Sequence, residues 1–245
     1  MTVSKTRMLE LVKAFDAAGV ARALAETPGL VDVRDERGFT WLHLCCRRQP
    51  KSPADVAASI RIADVLIAAG LDISDAAFIE EEWRATPLWC AIGRGLNLAL
   101  AEHLLKLGCD PEHSLWAASM TRDHDAVRLL VRYGANIDAD HEGGTPFIGA
   151  VKWSRFTEAE LFLDLGANPD IKDSSGMTAL HLMLKKGSET AAIRMVIDHG
   201  ARGDIPDPAG HTAIDTLSRK KDPELRALAT ELTARAAPHV EAPPR

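Results

Sequence analysis

The chain has 245 residues, 29 of them basic and 35 acidic, for a formal net charge of −6. With 46% apolar and 26% charged residues, it has the composition of a globular protein able to bury a sizeable core, which excludes wholesale disorder and collagen-like structure. No uncharged run nears the roughly 18 residues that cross a bilayer, and the charges within residues 1–10 leave no room for a secretory leader. A cytoplasmic location, without a membrane, is therefore expected.

In chain order, Lys5 to Gly29 opens with charges and reads as a polar cap. Asp35-Glu36-Arg37-Gly38 carries Asp first and Gly fourth, the signature of a type I turn. Thr40-Trp41-Leu42-His43 then starts a helix with a threonine cap. Thr40 to Gly70 spans 30 residues, against 21 from Thr145 to Gly166. The extra length is expected in the loop 49–52 and in a long helix capped by Ser52-Pro53. From Gly70 to Thr86 there are 16 residues, against 12 from Gly166 to Thr178, so this turn carries an insertion that includes Phe78 and Trp83.

Thr86-Pro87-Leu88-Trp89 starts the next helix, but only 5 residues then separate Gly108 from His113, which stands where threonine is expected. A projecting turn does not fit there. Residues 140 to 170 read as one regular unit: the turn Asp140-His141-Glu142-Gly143, a helix capped by Thr145 and ending near Trp153, and a second helix from about Glu158 to Leu165. Gly166 then supplies a left-handed stop. Asp173-Ser174-Ser175-Gly176 with Thr178-Ala179-Leu180-His181, and Asp207-Pro208-Ala209-Gly210 with Thr212-Ala213-Ile214-Asp215, repeat the pattern, Thr145, Thr178 and Thr212 lying 33 and 34 residues apart. The proline-bearing stretch from Arg235 reads as a frayed tail, flexible over 238–245.

The turn, the Thr-Pro-Leu-His helix start and the endings Gly134-Ala135-Asn136 and Gly166-Ala167-Asn168 resemble the ankyrin repeat, of period about 33. The resemblance covers nearly the whole chain. It implies an all-α solenoid of stacked helix–turn–helix units with short β-turn fingers, one finger missing near 109–113. Seven units are expected, ending near Gly29, Gly70, Gly108, Gly134, Gly166 and Gly200 and closing with 201–237, all within a single domain, 1–237. It also implies that His43 and His181 are structural hydrogen-bonders at helix starts, and that the seventh and eighth residues after each threonine face a partner.

Those positions hold Arg47-Arg48, Gly93-Arg94, Met120-Thr121, Lys152-Trp153, Lys185-Lys186 and Arg219-Lys220, eight of twelve basic and none acidic. Two readings stand open. The helix dipole favours cations at C-termini by about 0.3–1 kcal/mol each; alternatively the stripe is a basic groove for a partner. Trp153 in the stripe, with Phe39 and Trp83 on the turns, favours the groove, since exposed aromatics and arginines anchor interfaces. The expected contact set is Arg37, Phe39, Arg47, Arg48, Trp83, Arg84, Arg94, Lys152, Trp153, Lys185 and Lys186.

Cys45, Cys46, Cys90 and Cys109 lack Cys-x-x-Cys spacing and fall at small, packed positions of the repeat, so core packing is expected in place of metal or redox chemistry. The sequence holds no nucleophile triad, phosphate loop or His-Glu-x-x-His motif. The expectation is a non-enzymatic protein-interaction module, without metal or cofactor and monomeric when free, that binds an acidic protein surface as an inhibitor, immunity-type antitoxin or adaptor. The alternatives are a nucleic-acid-binding solenoid, which the net negative charge disfavours, and a secreted effector acting on host proteins. The excess of 19 arginines over 10 lysines points to a GC-rich bacterial genome.

Overall fold

The computed structural model describes residues 2–80, 83–140 and 143–236, while the side chains at 78–80 and 83 lie outside that description. It divides into two compact units, Met1–Ala135 and Asn136–Arg245. The first contains α1 (Lys5–Lys13), α2 (Ala17–Glu26), α3 (Trp41–Cys46), α4 (Pro53–Ala68), α5 (Pro87–Cys90), α6 (Leu98–Lys106), α7 (Glu112–Thr121) and α8 (His124–Arg132). The odd-numbered helices pack side by side in one layer and the even-numbered ones in a second, each pair closing on itself. Leu42, Ile62, Leu66, Leu88, Leu100 and Leu104 are fully buried between the layers.

Local chemistry accounts for these elements. The Thr86 hydroxyl accepts the Trp89 N–H at 3.1 Å, and Ser52 accepts the Asp55 N–H at 3.2 Å with Pro53 at the first helical position. Helix α4 runs for 16 residues, against 9 in α6, so it takes up much of the extra length of the second repeat. The insertion after Gly70 forms an antiparallel hairpin, β1 (Ala77–Glu80) and β2 (Trp83–Ala85), with Ala77 opposite Ala85.

No strand is found between Gly108 and α7 among the described residues. The chain turns straight into the helix, and Asp110 accepts the Glu112 N–H at 2.9 Å. His113 therefore lies inside the first turn of α7 instead of capping it. Beyond α5 the chain makes a π-helical turn, Ala91–Gly95, and leaves it through Leu96 in the left-handed region (φ 47°). Gly95 has to be glycine, because a Cβ there would overlap the Cys46 carbonyl oxygen of α3.

The second unit repeats the two layers with α9 (Pro146–Lys152), α11 (Ala179–Lys186) and α13 (Ala213–Ser218) in one and α10 (Phe156–Asp164), α12 (Thr190–Asp198) and α14 (Pro223–Ala236) in the other. Thr145 caps α9 by accepting the Ile148 N–H at 3.2 Å, and Gly166 ends its repeat at φ 95°. Gly29 differs: it sits in a 3-10 turn, Pro28–Leu30. His141 and Glu142 lie outside the described residues, and with them most of the expected turn at 140–143. Arg235 corrects an expectation. It is helical and donates to the Ile197 carbonyl at 2.7 Å, so the chain is held through α14, while the expected tail at 238–245 falls outside the described residues. No helix among the described residues is long and apolar enough to cross a membrane.

Candidate partner-binding surface

The fingers are built on aspartates. Asp35 accepts the N–H groups of Arg37 and Phe39, both at 2.9 Å. Asp173 does the same for Ser175 and Met177 at 2.9 and 3.0 Å, and Asp207 for Ala209 and His211, both at 2.9 Å. In each turn the N–H of the residue just before the helix-capping threonine is thus tied to the carboxylate four residues earlier, leaving the threonine free to start its helix.

The helix-start histidines bolt each finger to its neighbour. His43 Nε2 lies 3.0 Å from the Asp75 carbonyl and 2.9 Å from that of Ala85, at the two ends of the β1–β2 hairpin, while Nδ1 faces the Thr40 hydroxyl at 2.8 Å. His181 repeats the arrangement with Thr178 at 2.8 Å and the His211 carbonyl at 3.2 Å. Two carbonyls at Nε2 require the proton there, so Nδ1 is the acceptor. Burial lowers the His43 pKa, against the pull of Asp75, so the ring is neutral and structural.

In the first unit the expected contact residues divide. Arg37 and Arg84 are exposed. Phe39 is not the exposed anchor expected of it. It is 5% exposed, its ring centroid 5.4 Å from that of His43, because the Asp35 hydrogen bonds fold it back beneath the turn. Arg47 lies 4.6 Å over the Phe39 ring, and Arg94 lies 5.8 Å over that of Trp89, a residue itself only 8% exposed. Arg48 donates from Nε to the Lys13 carbonyl at 2.7 Å, at the end of α1. Trp83 is placed only by its backbone in β2.

In the second unit Trp153 follows α9 and is 71% exposed. Lys186 donates to the Lys152 carbonyl and the Ser154 hydroxyl, both at 2.7 Å. The expectation that no acid neutralises these cations fails at Lys152, whose ammonium lies 2.9 Å from the buried Asp173 carboxylate. Burial opposes that charge, but hydrogen bonds from the Ser175 hydroxyl, the Lys152 ammonium and the Met177 N–H prevail and hold the carboxyl at about 2. Lys185 is exposed and has no ion pair among the described residues.

All four cysteines are free and buried. Burial pushes the thiols of Cys45 and Cys90 up to about 12 and that of Cys109 up to about 11. Unreactive, packed thiols are the form that core packing predicts. Among the described residues no three His, Cys, Asp or Glu side chains converge to hold a metal.

Repeated finger turns, histidine bolts and two-layered helix pairs are now joined by a direct match: residues 88–173 fit the family profile of ankyrin repeats in three copies. The chain carries ankyrin repeats. Over 68 residues, 27% of its length and 10% of the relative's, it is 41% identical to the ankyrin repeat and LEM domain-containing protein 1 homolog of Caenorhabditis elegans. Over 80 residues, 32% of this chain and 7% of the other, it is 36% identical to the human transient receptor potential cation channel subfamily A member 1. The chain spans a tenth or less of these curated relatives.

Among solved structures, it resembles the ankyrin repeat domain of Bcl-3 with a TM-score of 0.72 at 20% identity, covering 93% of this chain and 99% of that one. It resembles the human ASB11 ankyrin repeat domain with a TM-score of 0.62 at 21% identity, covering 99% and 100%. At such identities the likeness establishes the fold alone. An ankyrin-repeat scaffold serves in general for protein–protein interaction, and its function lies in the surface grafted on it.

Proposed function

We propose that this chain is a non-enzymatic, cytoplasmic interaction module, 1–237 acting as one ankyrin-repeat domain, that binds an acidic surface of another protein and works by occupying it, as an inhibitor, antitoxin or adaptor does. The observation that carries this reading is Trp153. An indole 71% exposed at the end of α9, in the second unit where the neighbouring α11 ends in Lys185 and Lys186, is the aromatic-plus-cation pairing typical of binding hot spots. Among the described residues no side-chain hydrogen bond or ring contact of this indole accounts for leaving it in water.

The test is affinity capture from native lysate with the wild-type chain and with Trp153→Ser combined with Lys185→Glu. The wild type should retain one acidic protein that the variant loses, with association slowed by added salt. Retention of the same proteins by both chains would refute the reading. Capture of RNA or DNA whose binding falls steeply with salt would replace it with nucleic-acid binding.

A further inference from the structure

We propose that the cavity between α1, α3 and the turn at 33–39 receives one bulky apolar side chain from a partner segment whose flanking residues are acidic. The proposal rests on the reading above, that the module binds acidic protein surfaces, and it assigns a receptor site in the first unit.

The cavity is about 230 Å³, below the range of whole small-molecule sites and suited to a single side chain. Leu9, Val33, Phe39, Trp41 and Leu44 wall it. The polar groups around it, Lys5 and Thr6 at the mouth excepted, are largely engaged already. Trp41 Nε1 donates to the Leu30 carbonyl at 2.6 Å. One carboxylate oxygen of Asp35 takes the two N–H groups of its own turn, and Arg34 pairs with Asp75 at 2.6 Å. A water or a polar side chain placed inside would find few partners, so the cavity selects an apolar group.

The rim supplies the sign of charge. Lys5 and the Asp75-paired Arg34 line the mouth together with one acid, Asp35, and Arg47 lies against the Phe39 wall, so three cations stand against two carboxylates; neither Lys5 nor Arg47 has a carboxylate partner among the described residues. Lys5 is the more telling of the two. It occupies the first position of α1, where the helix dipole repels a cation, so helix stability does not account for it as it accounts for cations at C-termini. Phe39 is clamped between His43 and Arg47 and Trp41 is fixed by its hydrogen bond, so the walls are set before anything binds, which favours affinity.

The test is selection of random dodecapeptides displayed on phage against the full chain, followed by anisotropy measurements on the enriched peptides. Enriched sequences should share one large apolar residue with aspartate or glutamate beside it. Thr6→Phe fills the mouth from an exposed position and should weaken these peptides by about tenfold or more. Lys5→Glu should weaken them by about threefold at low salt, and the loss should vanish near 0.5 M salt, where exposed charges are screened. Thr6→Phe should melt with the wild type, and Lys5→Glu at or slightly above it, since the dipole favours an acid at that position.

Failure to enrich any peptide, enrichment without acidic residues, or equal binding to Thr6→Phe would overturn the proposal. If the peptides behave as expected while Trp153→Ser with Lys185→Glu keeps its captured protein, the functional reading fails and the cavity site stands. The reverse pattern removes the cavity site alone.

Discussion

Asp173 and His43 show how single ionisable groups hold the fingers of this molecule, with opposite proton requirements. The Asp173 carboxyl sits at about 2, below an unfolded aspartate near 3.9. The stability it adds is therefore complete above about pH 4 and drains away as the pH falls toward 2. Asp173→Asn should lower the melting temperature at pH 7 and flatten the acid limb of stability between about pH 4 and 2, as read by calorimetry. His43 is neutral, with its pKa lowered by burial, so the unfolded chain takes up a proton first as the pH drops through about 6.5. Wild-type stability should fall from pH 7 to 5, and His43→Gln should flatten that slope in urea titrations. The histidine role was legible through the family resemblance, which implies a structural hydrogen-bonder where histidine stands three residues after the threonine, as at His43 and His181. The Lys152–Asp173 pair was not: its partners lie 21 residues apart in different repeats. A register drawn from Asp173, five residues before Thr178, back to Lys152, seven after Thr145, would have exposed it.

At the level of elements, the helix-end reading of the basic positions holds for two of them, though they serve a neighbouring helix and not their own. Arg48 and Lys186 satisfy carbonyls at the end of the preceding first-layer helix, so each caps its neighbour's helix as the unpaired C-terminal groups require. Lys186→Met should accordingly cost about 0.5–1.5 kcal/mol, whereas Lys185→Met should stay within about 0.5 kcal/mol in denaturant unfolding. Near-equal costs would show that the cross-repeat bonds add nothing. Counting residues between glycines and threonines was enough to place the lengthened α4 and the turn missing before α7, because repeat arithmetic reports directly on chain length. The burial of Phe39 escaped because a residue beside a charged turn looks exposed, and only the carboxylate bonds of Asp35 fold it inward. Phe39→Ala should cost about 3 kcal/mol, measured by urea titration, a loss no exposed anchor would produce.

On the scale of the whole chain, each helix pair leans on its neighbours within its unit, and stability is built from repeat and interface contributions. The four thiols do not share that even distribution: all lie in the first unit, and Met1–Ala135 also holds four of the five tryptophans, leaving Trp153 to the second. A thiol near 12 is almost wholly protonated at pH 8 and so resists alkylation while it stays packed. Iodoacetamide trapping during a urea titration should then time the opening of residues 1–135 alone, whereas the Trp153 emission of a variant lacking the other indoles times the rest. The segregation of sulfur and indole makes the chain its own two-colour clock, able to tell which half loosens first.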